Sequence, residues 1–359
     1  MLKPMRRMPA SEPEQPGRRL PGQVFALGFS LNKRVNLRRF AGQSRVRFVE
    51  RPGKVPAGAT LLLWGSTPPP PDLAPGVQIV RVEDGFLRSV GLGAELVRPV
   101  SWVMDGRGIY YDATRPSDLE HLLQTFAPSE QLLARARRLR ERLAASGITK
   151  YSIGTTSWHR PPHAQRVILV PGQVETDASL RFGAPAIRTN LALLQAVRLG
   201  NPDAFIVYKP HPDVVAGLRA RGTREDEARA FCDQQLNDAA MGELLMQVDE
   251  VHVLTSLAGF EALLRHRPVV CYGQPFYSGW GLTRDMCPPE RRTRRLTLDE
   301  LVAGVLIDYP SYVSRTSGRR ISAEEALEEL LVWRNHVPAR TPSWRHLWRG
   351  LLRRTVGCR

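Results

Sequence analysis

The chain has 359 residues, of which 42% are hydrophobic, and it carries a formal net charge of +16 at pH 7. This length is sufficient for two domains of ordinary size with packed cores, and no run of about 18 apolar residues offers a transmembrane helix. The first residues lack the pattern of a secretory signal, and the four cysteines show neither the spacing of a zinc site nor the density of a disulfide scaffold, so we expect a cytoplasmic protein.

The first part of the sequence predicts an α/β domain. Short apolar runs alternate with turn-rich segments, and two helices then open at Ser117 and Ser129, the second of which ends at Gly147. The predicted extended segments are residues 24–29, 46–49, 61–64, 78–82, 101–105 and 109–111, and the predicted helices are residues 117–126 and 129–145. We assign residues 1–21 to a disordered N-terminal segment and residues 22–160 to an N-terminal Rossmann-like domain.

The second part of the sequence repeats the alternation of strands and helices more clearly. After a linker at residues 155–163, the predicted strands are residues 167–170, 205–208, 251–254 and 269–272, and the predicted helices are residues 189–199, 239–248 and one that begins after Ser256. Continuously apolar strands between helices are typical of a parallel, doubly wound sheet. We therefore predict an α/β, GT-B-like fold, in which two Rossmann-like doubly wound domains, residues 22–160 and 161–335, enclose a cleft.

The strongly basic charge requires an explanation, and much of it is arginine near the two ends of the chain. Residues 336–359 form a basic tail without acidic residues, in which Trp and Leu recur at helical spacing beyond residue 340. An amphipathic helix of this kind suits an anionic membrane surface, but a poorly ordered tail or a helix packed on the protein explains the pattern equally well. The basic residues are not interleaved with aromatic ones along a stripe, so nucleic acid is not favoured as a partner.

Residues 255–282 have the pattern of a unit that binds a phosphorylated ligand. An apolar run ends at Thr255 and Ser256, which are good helix N-cap residues, and a helix with apolar spacing follows. The first N–H groups of a helix have no internal partner, so an anion binds there against the positive end of the helix dipole, and Gly259 permits close approach. An ordinary βαβ unit capped by serine accounts for the same residues, and both interpretations stay open at this point.

Polar residues collect where the predicted strands end. In an open parallel sheet, ligands bind beyond the carboxyl ends of the strands, and each cluster follows a strand directly. The clusters contain Glu83 and Asp84 in the first domain, and Gln173, Glu175, Asp177, Lys209, His211, Pro212, Thr255 and Ser256 in the second. We expect these residues to meet in the cleft.

The residue types in these clusters suit the transfer of a sugar from a phosphate. Lys209 and His211 lie on a proline-stiffened loop, where they can neutralise a leaving phosphate together with the helix end at Ser256. The carboxylates are candidates for the base, acid or nucleophile of glycosyl transfer, although each alone is more often a turn or cap residue. Neither a DxD pair nor a His/Asp cluster at metal spacing occurs, so we predict no metal site.

Four blocks of the sequence, in order, closely resemble the KpsC/LipA-type capsule polysaccharide biosynthesis proteins. They are VEDGFLRSVGLG at residues 82–93, VPGQVETDAS at 170–179, YKPHPD at 208–213 and FYSGWGL at 276–282. The resemblance implies a retaining β-Kdo glycosyltransferase that needs no metal or cofactor and takes Kdo from CMP-Kdo through a covalent glycosyl-aspartate. It implies a phosphatidylglycerol-type or Kdo-linked lipid acceptor in capsule linker biosynthesis, a peripheral location at the inner membrane, and the capsule export machinery as a further partner.

The resemblance also assigns roles to the matching positions. It implies that His211 meets the CMP phosphate beside Lys209, that Asp177 is the nucleophile, and that Glu83 or Asp84 deprotonates the acceptor. The other positions implied for CMP binding are Pro212, Thr255, Ser256, Gly259 and Glu261, the last through the ribose as in the GT-B-like enzymes that share a Ser-x-x-Gly-x-Glu pattern. The other positions implied for the cleft are Gln173, Glu175, Arg88, Tyr277 and Trp280. On this basis residues 22–160 form the acceptor side and residues 161–335 the CMP-sugar side.

Two departures from the family pattern qualify these expectations. The KpsC proteins contain two catalytic modules, whereas this chain has the length of one, so we expect it to form one type of linkage. Thr176 stands where an acidic residue is usual, which favours Asp177 as the essential acid. Three alternatives stay open: a transferase for another CMP-activated keto-sugar acid, a GT-B-like nucleotide-sugar epimerase, and a basic module that binds nucleic acid or lipid.

Overall fold

The structure is a computed structural model that describes residues 19–89, 98–149 and 156–336. Its strands are β1 (Gln23–Leu27), β2 (Arg45–Val49), β3 (Thr60–Trp64), β4 (Gln78–Asp84), β5 (Ser101–Asp105), β6 (Val167–Pro171), β7 (Phe205–Lys209), β8 (Gln234–Gln235), β9 (Glu250–Val253), β10 (Val269–Cys271), β11 (Arg284–Asp285), β12 (Pro310–Val313) and β13 (Arg320–Ile321). Its helices are α1 (Leu31–Phe40), α2 (Asp118–Thr125), α3 (Glu130–Ser146), α4 (Ala178–Gly183), α5 (Asn190–Gly200), α6 (Pro212–Val215), α7 (Met241–Gln247), α8 (Leu257–Leu263), α9 (Leu298–Val302) and α10 (Ala323–His336), with 3₁₀ turns at Pro52–Lys54 and Glu225–Ala230 and a π-helix at Ala303–Asp308. The predicted tail, residues 336–359, lies outside the described residues from residue 337 onward, and the predicted N-terminal segment, residues 1–21, lies outside them up to residue 18.

The first sheet has seven strands in the order β13-β12-β5-β4-β3-β1-β2. Strands β2, β1, β3 and β4 are parallel, and β5 and β12 continue the sheet in antiparallel pairs. The run at residues 61–63 is completely buried because helices and loops cover both faces of this part of the sheet.

The second sheet has six parallel strands in the order β11-β10-β9-β6-β7-β8. The chain winds outward from β6 in one direction through β7 and β8, and in the other through β9, β10 and β11. This is the strand order of the dinucleotide-binding Rossmann fold, with its switch point between β6 and β9. The prediction of an α/β fold with two Rossmann-like sheets is confirmed.

The chain returns to the first sheet after it has completed the second. Strand β12 pairs with β5 and β13 pairs with β12, although the sequence analysis placed all of residues 161–335 in the second domain. The domain boundaries at residues 160 and 335 stay predictions. However, β12 and β13, which lie within the predicted second domain, belong to the first sheet. The return covers the edge of β5, whose backbone groups would otherwise lie unpaired. This pairing could not be predicted from a local sequence pattern, because β5 and β12 are about two hundred residues apart in the chain.

Two local predictions were wrong, and one helix of the first domain was missed. Residues 109–111 form a turn instead of an extended segment, since Asp105 accepts hydrogen bonds from the backbone N–H groups of Arg107 and Gly108 and starts a turn there. Helix α1 was not predicted, because it buries only Leu37 and Phe40 and lacks a continuous apolar stripe. Strand β4 continues through Asp84, two residues beyond the predicted end.

One hydrophobic core extends between the two sheets. It contains residues of β5, of β6 and β9, of helix α3 between them, and of the returning helices α9 and α10. Helix α3 packs against α9 and the π-helix that follows it. Among the described residues, no helix combines the length and the hydropathy needed to cross a bilayer.

Candidate active site

A cleft of about 410 Å³ lies where the carboxyl ends of the two sheets face each other. Its volume is that of an ordinary small-molecule site. Of the predicted site residues, those that line it are Glu83, Gln173, Asp177, Lys209, His211, Pro212, Thr255, Ser256 and Glu261. The predicted site residues that do not line it are Asp84, Arg88, Glu175, Gly259, Tyr277 and Trp280. The predicted site residues therefore do meet at the strand ends, but fewer of them line the cleft than expected.

The adjacent carboxylates at the end of β4 have different surroundings. Neighbouring residues of a strand point to opposite faces, so Glu83 faces the cleft while Asp84 faces the sheet interior. Asp84 accepts hydrogen bonds from Arg88 Nε at 2.6 Å and from Trp102 Nε1 at 3.1 Å, one on each carboxylate oxygen. Both Asp84 and Arg88 thus stabilise the end of the sheet, and Glu83 is the carboxylate available to a ligand.

The Glu83 carboxylate is held in place by its neighbours. Its Oε1 accepts the backbone N–H of Asp84 at 3.0 Å, and its Oε2 lies 3.4 Å from the hydroxyl of Tyr111. Burial raises the pKa of Tyr111, and the negative charge of Glu83 adds to the effect, so the phenol keeps its proton and donates to the carboxylate. Gly65 has a φ of +52°, and a Cβ there would stand 2.9 Å from both Glu83 Oε2 and the Tyr111 hydroxyl. Glycine at this position leaves room for the pair.

Asp177 is the exposed carboxylate on the opposite wall of the cleft. It is the N-cap residue of α4, yet its side chain makes no capping hydrogen bond and is 43% exposed. The guanidinium of Arg219 lies 3.9 Å from Asp177 Oδ1 and also lines the cleft. A carboxylate that is not committed to capping and faces a cleft is accessible to an electrophilic carbon.

Glu175 has a structural position, in contrast to its predicted place in the cleft. Its two carboxylate oxygens accept the backbone N–H groups of Asn190 at 2.8 Å and Thr223 at 2.7 Å. A Cβ on Gly222 would stand 2.5 Å from Glu175 Oε1, so the carboxylate is closely enclosed. Glu175 joins the start of α5 to the loop at residue 222, and Asp177 is the carboxylate of this block that lines the cleft.

Two potential cations lie side by side at the end of β7. Lys209 is only 6% exposed, and burial lowers its pKa, against which the charge of Asp238 acts in part. His211 is the N-cap residue of α6, and its Nδ1 accepts the backbone N–H of Asp213 at 3.2 Å. In a neutral imidazole this bond places the proton on Nε2, which makes that nitrogen a donor. Pro212 occupies the first position of α6 and fixes the backbone beside the ring.

The switch point of the second sheet is bridged by one side-chain amide. Gln173, just beyond β6, donates from Nε2 to Thr255 Oγ1 at 3.0 Å and accepts the backbone N–H of Thr255 at 2.9 Å. Ser256 caps α8 by accepting the N–H of Ala258 at 3.2 Å. The floor of the crevice in which Rossmann folds bind ligands is therefore built from these three residues, with Glu261 on the next turn of the helix.

Two aromatic residues of the fourth sequence block lie in the core. Tyr277 and Trp280 are both completely buried, and Trp280 Nε1 donates to the carbonyl of Phe276 at 2.8 Å. A Cβ on Gly259 would stand 2.2 Å from the Tyr277 hydroxyl. The close approach that Gly259 permits is therefore that of Tyr277, which ties the loop at residues 275–277 to α8.

Sequence reasoning missed the aromatic wall of the cleft. Phe86 lies 4.7 Å from Phe276 and 4.8 Å from Tyr110, measured between ring centroids, and all three line the cleft. Trp64, at the end of β3, also lines it. The available signal was an aromatic residue at or after a strand end. The prediction instead selected Tyr277 and Trp280 of the fourth block, which do not line the cleft. Within the described part of the chain, no three His, Cys, Asp or Glu side chains are grouped so that they could hold a metal ion.

Comparisons with known proteins agree with this architecture. A KpsC of Thermosulfurimonas dismutans described as a β Kdo 2,7 transferase is 42% identical, has a TM-score of 0.71, and is matched over 87% of this chain and 99% of that one. A second KpsC structure from the same organism, described as a β Kdo 2,4 transferase, is 30% identical with a TM-score of 0.75 over the same shares.

Sequence relatives point the same way. The capsule polysaccharide modification protein LipA of Neisseria meningitidis serogroup A is 43% identical over 327 residues, which are 88% of this chain and 46% of LipA. The lipopolysaccharide-processing protein LpsZ of Rhizobium meliloti is 44% identical over 266 residues, which are 73% of this chain and 60% of LpsZ. The chain thus spans about half the length of the curated relatives it matches. A family model described as capsule polysaccharide biosynthesis protein matches residues 61–149 and 129–319, and the chain belongs to this family.

Proposed function

We propose that this protein is a retaining β-Kdo glycosyltransferase, which transfers Kdo from CMP-Kdo to a Kdo-linked or phosphatidylglycerol-type lipid acceptor in capsule linker biosynthesis. One observation carries the proposal. The cleft brings an accessible carboxylate, Asp177, and two hydrogen-bond donors, the Lys209 amine and the His211 imidazole, together with a second carboxylate, Glu83, from the opposite sheet. The resemblance to KpsC Kdo transferases supports the choice of sugar.

The first half of the reaction would form a covalent intermediate. An Asp177 oxygen attacks the anomeric carbon of Kdo, the bond from that carbon to the phosphate oxygen breaks, and CMP leaves with the electron pair. Lys209 and the Nε2–H of His211 stabilise the charge that develops on the phosphate. Because the leaving group is a monophosphate, these two groups and the backbone around Ser256 suffice without a divalent ion, and we expect transfer to persist in EDTA.

The second half would release the aspartate. Glu83 accepts the proton of the acceptor hydroxyl, the hydroxyl oxygen attacks the anomeric carbon, and the bond to Asp177 breaks to restore its carboxylate. Two inversions at one carbon give net retention. Tyr111 remains protonated beside Glu83 and keeps the carboxylate directed into the cleft. The acceptor thus approaches from the side of the first sheet, and the nucleotide is held by the second.

The test is intact-protein mass spectrometry after incubation with CMP-Kdo generated in situ and no acceptor. We expect the wild type to gain the mass of one Kdo residue and the Asp177→Ala variant to gain none, while Glu175→Gln, whose carboxylate is occupied by backbone N–H groups, keeps the adduct. An adduct of equal yield on Asp177→Ala would remove Asp177 from the nucleophile role. CMP-activated sialic acid serves as the second donor, and an adduct with it instead of Kdo would identify the alternative sugar class.

The linkage is the next property that the comparisons bear on. The KpsC described as a 2,7 transferase shares 42% of residues with this chain, against 30% for the one described as a 2,4 transferase. We therefore propose a 2,7 linkage, to be read from the ¹³C shift of the substituted carbon in the NMR spectrum of the product. A 2,4-linked product would contradict it.

We propose that the reaction takes place at the cytoplasmic face of the inner membrane, where a lipid acceptor and the export machinery would be available.

A further inference from the structure

Helix α1 presents an apolar pair within a basic surface. Leu31 is 78% exposed and Val35 is 49% exposed, and their spacing of four residues places them side by side on one face. The opposite face, with Leu37 and Phe40, packs into the first sheet. The basic residues of the helix are Lys33, Arg34, Arg38 and Arg39, and the helix contains no acidic residue.

The basic surface continues beyond the helix. At the C-terminal end of α1, Arg320 of β13 donates to the carbonyl of Phe40 and extends the same surface. The guanidinium carbons of Arg34 and Arg38 lie 5.1 and 5.0 Å from the ring centroid of Phe48, so both cationic groups stack on this ring at the border of the helix.

Other exposed apolar residues of the described structure are scattered. They are Leu199, Val215, Met246, Met286 and Val332, each on a separate element. Single exposed apolar residues are ordinary, whereas an apolar pair framed by arginines is the composition of an interfacial helix on anionic lipid. Each basic residue near such a surface contributes about 1 kcal/mol, and the apolar side chains enter the boundary between head groups and acyl chains.

The helix is also continuous with the cleft. It follows β1 at the carboxyl end of the first sheet, and Lys33 Nζ lies 3.6 Å above the ring centroid of Trp64, which lines the cleft. A surface that binds at α1 therefore lies beside the first-sheet wall, where Glu83 faces the ligand.

We propose that the outer face of α1, with Leu31 and Val35 inserted and the surrounding arginines on the head groups, docks the protein on an anionic phospholipid bilayer and brings the cleft to a lipid-borne acceptor. The docking proposal depends only on the geometry and charge of α1. The delivery of an acceptor rests on the proposed function.

The test is co-sedimentation of the full chain with phosphatidylglycerol/phosphatidylcholine vesicles at physiological salt. The variants are Leu31→Asp/Val35→Asp for insertion and Arg38→Gln/Arg39→Gln for charge. The controls are Leu199→Asp, whose side chain is 86% exposed on α5, and Arg221→Gln/Arg224→Gln on the second half of the molecule. We expect both α1 variants to lose roughly tenfold or more in partitioning, and both controls to match the wild type.

Equal partitioning of the wild type and the α1 variants would overturn the proposal, whatever else binds the membrane. Binding to duplex or single-stranded nucleic acid that depends on α1, without vesicle binding, would also overturn it and identify a nucleic-acid surface. Transfer to a soluble Kdo-terminated acceptor separates the two proposals. If the α1 variants keep this transfer activity and lose vesicle binding, both the docking proposal and the proposed function are supported. If the protein shows no transfer but its vesicle binding depends on α1, the docking proposal is supported and the proposed function is contradicted.

Discussion

At the scale of single residues, the two neighbouring carboxylates of β4 have separable functions. Glu83 faces the cleft, and Asp84 is bound on both oxygens by Arg88 and Trp102. We expect Glu83→Gln to lower transfer by about 10²- to 10⁴-fold with little change in thermal stability, because it removes the proposed general base and no packing. Steady-state kinetics and a melting curve measure the two effects.

The matched variant is Asp84→Asn. It weakens the contact with the Arg88 guanidinium, so we expect a loss of about 1–3 kcal/mol in the free energy of unfolding. Its activity per folded molecule should stay within about tenfold of the wild type, far above the range expected for loss of a general base. If Asp84→Asn were stable but inactive and Glu83→Gln were active, Asp84 would be the general base and Glu83 the structural residue.

Sequence reasoning could name this pair but could not choose between its members. Which of two adjacent strand residues faces a cleft depends on where the strand ends, and β4 ends two residues later than predicted. The same limit explains Tyr277 and Phe276, of which the sequence selected the one that does not line the cleft. Residue type and position after a strand are local signals, whereas the direction of a side chain depends on the packing of distant segments.

Lys209 gives a prediction about pH. Burial lowers its pKa below the ordinary value of 10.5, so between the lowered pKa and 10.5 the unfolded chain binds more protons than the folded one, and the stability contributed by this group increases as pH rises. A bound phosphate reverses the preference, since it favours the charged amine. We therefore expect CMP binding to take up protons in this window and to weaken as pH rises.

Calorimetry in two buffers of different ionisation enthalpy measures this proton uptake. The Lys209→Met variant should bind CMP more weakly at neutral pH and should lose the pH-dependent component that belongs to the lysine. Identical pH profiles of the wild type and Lys209→Met would show that Lys209 does not contact the phosphate.

At the scale of structural elements, a buried ion pair positions the aromatic loop of the cleft. Glu120 of α2 accepts from Arg291 Nε at 2.8 Å and from Arg292 Nε at 3.0 Å. Arg292 also donates to the carbonyls of Pro275 and Ser278, on either side of Phe276 in the cleft wall. Burial alone would raise the pKa of Glu120, but the two arginines outweigh it and lower the pKa.

We expect Arg292→Met to lower the free energy of unfolding by about 3–5 kcal/mol, because it removes a buried partner of Glu120 and the support of the loop. Urea unfolding of the single and double variants with Glu120→Gln should give a coupling energy above about 0.5 kcal/mol. The stability from Glu120 is present above its ordinary pKa of 4.5 and is lost as pH falls through the lowered pKa. Additive effects of the two substitutions would contradict this coupling.

Elements were predictable where burial leaves a local signature. Each continuous apolar run of the second sheet was recognised, because a parallel strand is covered on both faces. Helix α1 was not predicted, because a surface helix that buries only Leu37 and Phe40 shows little periodicity in its apolar residues. Strand β12 has the apolar character of a strand, yet its partner in β5 could not be identified, because no local pattern encodes a pairing over so long a stretch of chain.

At the scale of the whole molecule, the return of the chain makes the two halves depend on each other. Strand β12 covers the edge of β5, and α3 buries Ala136, Leu139 and Leu143 in the core shared with α9 and the π-helix. The predicted N-terminal domain, residues 22–160, contains β5 and α3 but none of these partners. Its isolated form would expose both an unpaired strand edge and an apolar helix face, which favours aggregation.

We therefore expect a fragment of residues 22–160 to lack a cooperative thermal transition and dispersed amide signals in its ¹H–¹⁵N spectrum, and the full chain to unfold in one transition that CMP shifts upward. Addition of the complementary fragment from residue 161 onward should restore dispersion, because it supplies β12, α9 and the π-helix. A substitution control, Leu139→Asp, should prevent this recovery, since the buried face of α3 carries the contact. A well-folded fragment 22–160 would instead show that the first sheet is complete without the returning strands, and that the boundary read from the sequence marks an independent folding unit.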